Sequence, residues 1–233
     1  SWEQSQRNFS SIQVDEISPI HFAPPATVDN GYFKTRWATE MLLTRAAARG
    51  FPVTIYRSSA ISGNTVTGVA SSDQDIVRGM VMDMVRHGVV PQAGTSDAPF
   101  VVDFIPVNYL ADALGHLTAV HDTTQPAGLE VLHITNPKPL SLDQLPRLTA
   151  AIRGDGHNAR SVSVEGWLEA LEQAVGEDEQ LRLETLRDYF LNGHNMFALS
   201  CRKANALLAE KKDLMACPPV DENYLRALWK GTA

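Results

Sequence analysis

The chain contains only 2 cysteines among 233 residues, which argues against a disulfide-rich fold. Cys201 and Cys217 form neither a CxxC motif nor a zinc-ligand pattern, so they are predicted to be free, buried thiols. The two nearest histidines, His116 and His121, lack the cysteines or the trio of carboxylates that would complete a ligand set. We therefore expect no bound metal.

Long apolar runs and basic clusters are missing as well. No apolar stretch reaches the ~18 residues of a membrane-spanning helix, and no basic-then-apolar leader stands at the N-terminus. The net charge of −7 works against binding to nucleic acids, which are polyanions. Because 44% of the residues are hydrophobic and 20% are charged, the chain suits one or two globular domains. We expect a cytoplasmic protein that binds neither nucleic acid nor a membrane.

An amphipathic helix is predicted between Asn30 and Gly50. Asn30 suits the N-cap, Gly50 suits the C-terminal stop, and no proline interrupts the run. On such a helix Tyr32, Arg36 and Glu40 share one face, so a phenol and a guanidinium project side by side. A cation one turn away favours the phenolate, which suits a proton donor to the oxyanion that hydride attack on a carbonyl produces. Taken alone, the spacing fits surface residues of an ordinary helix better than a catalytic pair.

A strand and a loop of small residues are predicted to follow this helix. Residues 53–56 are apolar and β-branched, as in a buried parallel strand. The loop over residues 58–63 includes Ser58, Ser59 and Ile61. Ligands bind on such loops at the carboxyl ends of parallel strands.

Together these two stretches resemble the extended short-chain dehydrogenase/reductases. The closest resemblance is to the thioester reductase domains that end many nonribosomal peptide synthetases and polyketide–peptide hybrids. Those domains carry a Gly-Tyr-x-x-Ser-Lys-Trp-x-x-Glu helix and then Arg-Gly-x-Pro-Val-x-Ile-x-Arg-Pro. Here Arg36 stands in the place of the lysine and Ser58 in the place of the last proline. An arginine keeps the charge but not the compact ammonium that holds the nicotinamide ribose in the family, so the exchange is not conservative.

A third stretch, residues 103–113, resembles the family pattern Asp-x-x-Pro-Val-x-Tyr-x-Ala-Asp-Ala. Asp103, Pro106, Tyr109 and Asp112 fall at its positions. The stretch predicts a strand over 100–107 and a helix over 108–120. With it, the resemblance covers nearly all of the chain.

Further helices and strands are predicted from periodicity and capping signals. A helix begins near Asp73 or Asp75 and ends at Gly88, with methionines and valines packed in a core, and a strand covers 129–135. His133 on that strand is interpreted as a sheet histidine with satisfied hydrogen bonds rather than a catalytic base. Ser141 is predicted to cap the next helix, with Gln144 as its capping-box partner. Helices are also predicted over 166–175, 176–191, 197–211 and 222–229.

The first 30 residues predict mostly loop, and no Gly-x-Gly-x-x-Gly turn occurs anywhere in the chain. Ser1-Trp2 looks like the stretch that follows the catalytic Ser or Thr of the family, while Ser10-Ser11 is an alternative site for that hydroxyl. The resemblance thus implies that the N-terminal half of the dinucleotide fold is missing. The fragment alone is expected to be inactive and not to bind NADPH.

The expected fold is α/β, namely the C-terminal half of a doubly wound, Rossmann-like parallel sheet with a mostly helical substrate-binding subdomain. Residues 1–63 and 100–136 are assigned to the NADP-binding part, and residues 64–99 and 137–233 to the substrate-binding part.

The resemblance implies reductive release of a thioester chain held on a phosphopantetheine-bearing carrier domain. Tyr32 would donate a proton, Arg36 would take the lysine position, and both would contact NADPH. The backbone at Ser58, Ser59 and Ile61 would lie against the nicotinamide. A redox-independent Dieckmann-type cyclising domain and a non-catalytic docking module remain as alternatives.

Overall fold

Helices and strands alternate along most of the chain. The computed structural model describes residues 13–17, 31–70, 75–92, 101–120, 128–174, 176, 183–187, 198–211 and 213–230. The helices are α1 (Gly31–Ala48), α2 (Ile76–His87), α3 (Val107–Val120), α4 (Leu145–Arg153), α5 (Val164–Glu172), α6 (Arg202–Leu208) and α7 (Glu222–Lys230). The strands are β1 (Gln13–Val14), β2 (Val53–Ser58), β3 (Ala60–Ser62), β4 (Val89–Pro91), β5 (Val101–Val102), β6 (Phe104–Pro106), β7 (Leu129–Ile134), β8 (Leu140–Ser141), β9 (Arg160–Val162) and β10 (Ala198–Leu199).

Four of the strand pairs are parallel, which confirms the α/β class. These pairs are β1–β10, β2–β7, β3–β6 and β4–β9. The longest is β2–β7, which runs in register from Val53 opposite Leu129 to Ser58 opposite Ile134. The pair β5–β8 is antiparallel, although the alternation of strands and helices favoured parallel pairing. That alternation breaks down here because β8 follows β7 with no helix between them, so no crossover fixes its direction.

The chain forms two compact units, each assembled from separate segments. The first unit comprises Ser1–Ser58, Asp112–Ile134 and Ala198–Leu214. The second comprises Ser59–Ala111, Thr135–Phe197 and Met215–Ala233. The functional division expected from the sequence, 1–63 with 100–136 and 64–99 with 137–233, stays a prediction.

The second unit contains a large apolar core. Helix α5 contributes Trp167 and Leu171, α2 contributes Met80 and Met84, and α7 contributes Leu225, all almost fully buried. The core positions predicted for the methionines of α2 are therefore confirmed. Removing these side chains from water supplies most of the free energy that holds the helices of this unit together.

The caps predicted for α2 are confirmed at both of its ends. Asp75 Oδ1 accepts a hydrogen bond from the Arg78 N–H at 2.8 Å, which satisfies one of the unpaired donors of the first turn. Gly88 closes the helix with φ of 60°, a left-handed conformation that favours glycine. The N-cap predicted for α1, Asn30, lies outside the described residues.

The capping box predicted at Ser141 is wrong. The Ser141 side chain makes no cap hydrogen bond, and a 3₁₀ turn over Leu142–Gln144 precedes α4. Pro146 lies in the first turn of α4, where its fixed φ favours a helix start and its missing N–H costs nothing. The start of α4 is therefore set by the proline and not by a serine cap.

Three other boundaries differ from the sequence-based expectations. The helix expected over 197–211 begins at Arg202, because Ala198–Leu199 pairs with β1 as a strand. The strand expected over 100–107 is split at Asp103, whose carboxylate accepts a hydrogen bond from a neighbouring segment. Helix α5 begins at Val164 because the Ser163 hydroxyl caps it, accepting from the Gly166 N–H at 3.1 Å. Of the helix expected over 176–191, residues 176 and 183–187 are described: 183–187 are helical, whereas Gly176 is not.

Candidate active site

Helix α1 carries the two residues predicted to be catalytic. It begins at Gly31, so Tyr32 falls in the first turn and Arg36 one turn later. Arg36 is exposed, whereas the side chain of Tyr32 lies outside the described part of the structure. Among the described side chains of α1 only Ala47, near the C-terminal end, is buried. Among the described residues of its N-terminal half, 31 and 34–39, Trp37 is half-buried and the others are exposed.

An ion pair fixes the middle of α1 to strand β2. Arg57 Nε donates to Glu40 Oε1 at 3.0 Å, and Arg57 Nη2 donates to Glu40 Oε2 at 2.7 Å. Two parallel bonds between a guanidinium and a carboxylate define orientation as well as distance. Both side chains are mostly shielded from water, at 17% exposed for Arg57 and 24% for Glu40. The pair consequently sets the angle at which α1 lies on β2.

The same arginine continues into the buried imidazole of His133 on β7. Arg57 Nη1 lies 3.2 Å from His133 Nε2, and His133 Nδ1 lies 2.9 Å from the Ser200 carbonyl oxygen. A guanidinium can only donate, so Nε2 accepts and Nδ1 carries the proton that is donated to Ser200. Burial, followed by the charge of Arg57, holds the pKa of His133 below its ordinary value. The interpretation of His133 as a satisfied sheet histidine is confirmed.

Glu16 supports His133 from the other side. Its Oε1 accepts the His133 N–H at 3.0 Å and the Ala204 N–H at 3.1 Å, and its Oε2 accepts the Lys203 N–H at 2.6 Å. A buried carboxylate needs such donors, because without them its charge is costly to remove from water. Glu16 thereby joins β7 to the first turn of α6. Nothing in the sequence near Glu16 or His133 indicates this arrangement, since 117 residues separate the two.

The residues predicted to contact the nicotinamide fall in both units. Ser58 is the last residue of β2 in the first unit and is exposed. Ser59 and Ile61 belong to the second unit, where Ser59 is half-buried and Ile61 on β3 is 46% exposed. That these residues form one site with Tyr32 and Arg36 stays a prediction.

Asn136 is a structural residue of the second unit that the sequence analysis did not single out. Its Nδ2 donates to the Phe104 and Pro218 carbonyl oxygens, both at 2.9 Å, and its Oδ1 accepts the Lys138 N–H at 2.9 Å. Its own N–H donates to Asp103 Oδ1 at 3.1 Å. Burial raises the pKa of Asp103, against the opposing effects of this hydrogen bond and of the Ser59 hydroxyl. The one available signal was the Asn-Pro turn, which predicts a chain reversal but not its partners.

Tyr224 and Cys217 of the second unit are unsuited to acid–base chemistry near neutral pH. Tyr224 is buried, its hydroxyl lies 2.5 Å from Ser62 Oγ, and burial raises the pKa of Tyr224. Burial and then the nearby Asp103 raise the pKa of Cys217 to about 12. A phenol and a thiol that hold their protons this tightly are poor acid–base groups near neutral pH. Cys201 and Cys217 are thiols outside any disulfide, and both are half-buried rather than fully buried as predicted.

Among the residues that the structure describes, no three His, Cys, Asp or Glu side chains are grouped closely enough to hold a metal ion. None of the described helices is long and apolar enough to cross a lipid bilayer.

The contacts of His133 predict a specific dependence of stability on pH. The folded pKa of His133 is lower than the unfolded value of about 6.5, so below that pH the unfolded state binds more protons. We therefore expect the free energy of unfolding to fall on acidification below pH ~6.5, and His133→Gln to reduce that fall. Urea unfolding of both proteins at pH 7.5 and pH 5.5 checks this. Equal losses in the two proteins would contradict it.

The chain is similar in sequence to parts of large synthetases. A family model of the NAD-binding type, described as male sterility protein, matches residues 5–114. The hybrid PKS-NRPS synthetase pyvA of Aspergillus violaceofuscus is 53% identical over 93% of this chain. The hybrid PKS-NRPS synthetase pynA of Aspergillus niger is 36% identical over 98% of it.

A solved structure with the same fold is the terminal R domain from the myxalamid PKS-NRPS biosynthetic pathway. It superimposes with a TM-score of 0.73 and 25% identity over 95% of this chain. The chain spans 53% of that R-domain chain and 6% of the length of each of the two Aspergillus synthetases.

Proposed function

The chain belongs to the NAD-binding family that includes the terminal reductase domains of hybrid polyketide–peptide synthetases, and from this premise we propose that it takes part in reductive release. The substrate would be an acyl or peptidyl thioester on the phosphopantetheine arm of a carrier domain, and the product an aldehyde or an alcohol. The observation that carries the proposal is helix α1, which begins with Tyr32 and Arg36 one turn apart and is held to a parallel strand by Glu40.

The residues of this chain suit the nicotinamide end of NADPH. Arg36 offers an exposed cation, and Ser58 ends β2 at the carboxyl edge of a parallel pair, where ligands of such sheets bind. The phosphate end would need a glycine-rich turn, and the sequence contains none. NADPH, when bound, supplies a hydride. That NADPH rather than another nicotinamide is used, and that the chain is inactive by itself, are parts of this proposal.

The chain would contribute the proton and its electrostatic support. The Tyr32 hydroxyl would donate its proton to the oxyanion that forms on the thioester carbonyl oxygen. The cation of Arg36, one helical turn away, would favour the phenolate that Tyr32 leaves behind. Backbone at Ser58, Ser59 and Ile61 would line the face where the carbonyl and the nicotinamide meet.

Exchanging Arg36 for lysine tests this assignment. If Arg36 merely supplies charge, Arg36→Lys restores the compact ammonium, and NADPH-dependent turnover should rise or stay similar. Steady-state NADPH oxidation by the full-length protein and by the variant, on the same carrier-bound thioester, measures this. Arg45→Lys, at an exposed position near the end of α1, is the matched control and should change nothing.

A second candidate function rests on Arg36 itself. Its forked guanidinium is larger than an ammonium and would crowd the ribose hydroxyls, which favours a domain that has abandoned hydride chemistry. Such a domain would release its chain by Dieckmann-type cyclisation to a tetramic acid. No NADPH oxidation by wild type or Arg36→Lys, with a cyclised product appearing, would replace the reductive proposal by this one. Thioester binding with neither product would indicate a docking module.

The same proposal implies a partner. A carrier domain would present the thioester, and the first unit, which holds Tyr32 and Arg36, would take part in binding the cofactor. The cytoplasmic location expected from composition stays a prediction.

A further inference from the structure

Helix α1 is held to the first unit by polar contacts as well as by apolar burial. Ala47 is its one buried side chain among those described, and it lies near the opposite end of the helix from Tyr32. Helix ends without packed side chains fray, because a few hydrogen bonds alone barely offset the entropy of ordering the turn. Because few of the described side chains of α1 are fully buried, its orientation also needs polar contacts.

The bidentate contact between Glu40 and Arg57 meets that need. Glu40 lies two turns after Tyr32 on the same face, which corresponds to about 12 Å along a rigid helix. A change in the angle of the helix at Glu40 therefore displaces the helix backbone at position 32. Exposed ion pairs contribute little, but this one is shielded, bidentate and continued by a third bond from Arg57 to His133.

The orientation of Arg57 is fixed in turn by His133 on β7. His133 is fully buried, donates through Nδ1 to the Ser200 carbonyl and accepts from Arg57 through Nε2. An imidazole held at both nitrogens leaves the guanidinium one orientation in which all of its bonds are made. A continuous series of contacts, from His133 to Arg57 to Glu40, therefore connects strand β7 to α1.

We infer that Glu40 and Arg57 are positioning residues for release chemistry, which hold α1 so that Tyr32 and Arg36 meet the thioester carbonyl in one geometry. This inference rests on the proposed function, since it concerns the same site. Neither residue would touch the substrate. Their loss would lower the rate of the chemical step and leave binding of the thioester largely intact, because misplacement by about 1 Å can cost as much as ~10²-fold in rate.

Steady-state kinetics of release from a carrier-bound thioester, measured with the full-length protein, test the inference. We expect Glu40→Gln to lower kcat about 10- to 100-fold with KM changed by less than about threefold. Arg57→Lys keeps the charge but not the fork, so its kcat should lie between those of wild type and Arg57→Gln. The double variant with Glu40→Gln and Arg57→Gln should be no slower than the worse single variant, since both changes remove one contact.

The matched control is Asp15→Asn, which removes an exposed ion pair of the same unit, Arg202 Nη2 to Asp15 Oδ1 at 2.9 Å. It should leave kcat unchanged. Circular dichroism and thermal unfolding identify any variant that fails to fold, and for such a variant Glu40→Asp, which keeps the charge with a shorter reach, takes its place. Unchanged kcat in folded Glu40 variants, a rise in KM alone, additive losses in the double variant, or an equal loss in Asp15→Asn would each overturn the inference. A wild type that releases no product would instead overturn the proposed function.

Discussion

Replacing Tyr32 by phenylalanine should lower turnover by roughly 10² to 10⁴, the usual contribution of a positioned acid or base. The change removes the proposed proton donor, and phenylalanine keeps the ring at this position in the first turn of α1. We expect thioester binding and the thermal unfolding midpoint to stay near their wild-type values. Rates of NADPH oxidation by the full-length protein on a carrier-bound thioester measure the effect.

Tyr56→Phe is a suitable control for this experiment. Tyr56 lies on β2 in the same unit, is half-buried and has no proposed chemical role, so its hydroxyl should be dispensable for turnover. If Tyr32→Phe turned over as fast as wild type with normal thioester binding, Tyr32 would be an ordinary surface residue or release would not use a hydride.

Truncating Trp167 to alanine should have the largest effect on stability, about 3–5 kcal/mol of unfolding free energy. Trp167 is fully buried in the core of the second unit, so its removal forfeits apolar burial and leaves a cavity that the neighbours cannot fill. Equilibrium unfolding in urea measures the loss. As a control, Val66→Ala removes an apolar side chain that is 80% exposed and should change stability by no more than about 0.5 kcal/mol. A loss below about 1 kcal/mol for Trp167→Ala would mean that this core repacks freely.

Local signals predicted the parts of the fold that local chemistry decides. The sequence placed the start of α2 near Asp73 or Asp75 and its end at Gly88, and Asp75 and Gly88 are its caps. Such caps can be predicted because an aspartate before an apolar helical run and a glycine after it bond to backbone groups only a few residues away. The helical spacing of Met80 and Met84 similarly predicted their burial. The parallel direction of pairs such as β2–β7 was predicted from the alternation of strands and helices, but the identity of the partners was not.

The structural features that depend on segments far apart in the sequence could not be predicted from it. Ala198 and Leu199 have helical propensity, but they form a strand because β1 offers backbone partners far away in the sequence. Glu16 gave no signal either, since its partners at Lys203 and Ala204 are 187 and 188 residues away. In the candidate site, Tyr32 and Arg36 were recognisable from spacing and resemblance. The contacts of Glu40 with Arg57 and of Arg57 with His133 could not be predicted, because the partners are 17 and 76 residues apart in the sequence.

The two interleaved units also bear on how this polypeptide is made. Helix α1 ends at Ala48, early in the order of synthesis, yet two of its indirect supports, the Ser200 carbonyl and helix α6, are added only after Ala198. Until then His133 and Glu16 lack partners that they have in the finished unit, and the non-local contacts that order this region cannot form. The helix that carries Tyr32 is therefore synthesised long before the residues that support it indirectly. The first unit can be completed only after its last segment, Ala198–Leu214, has been made.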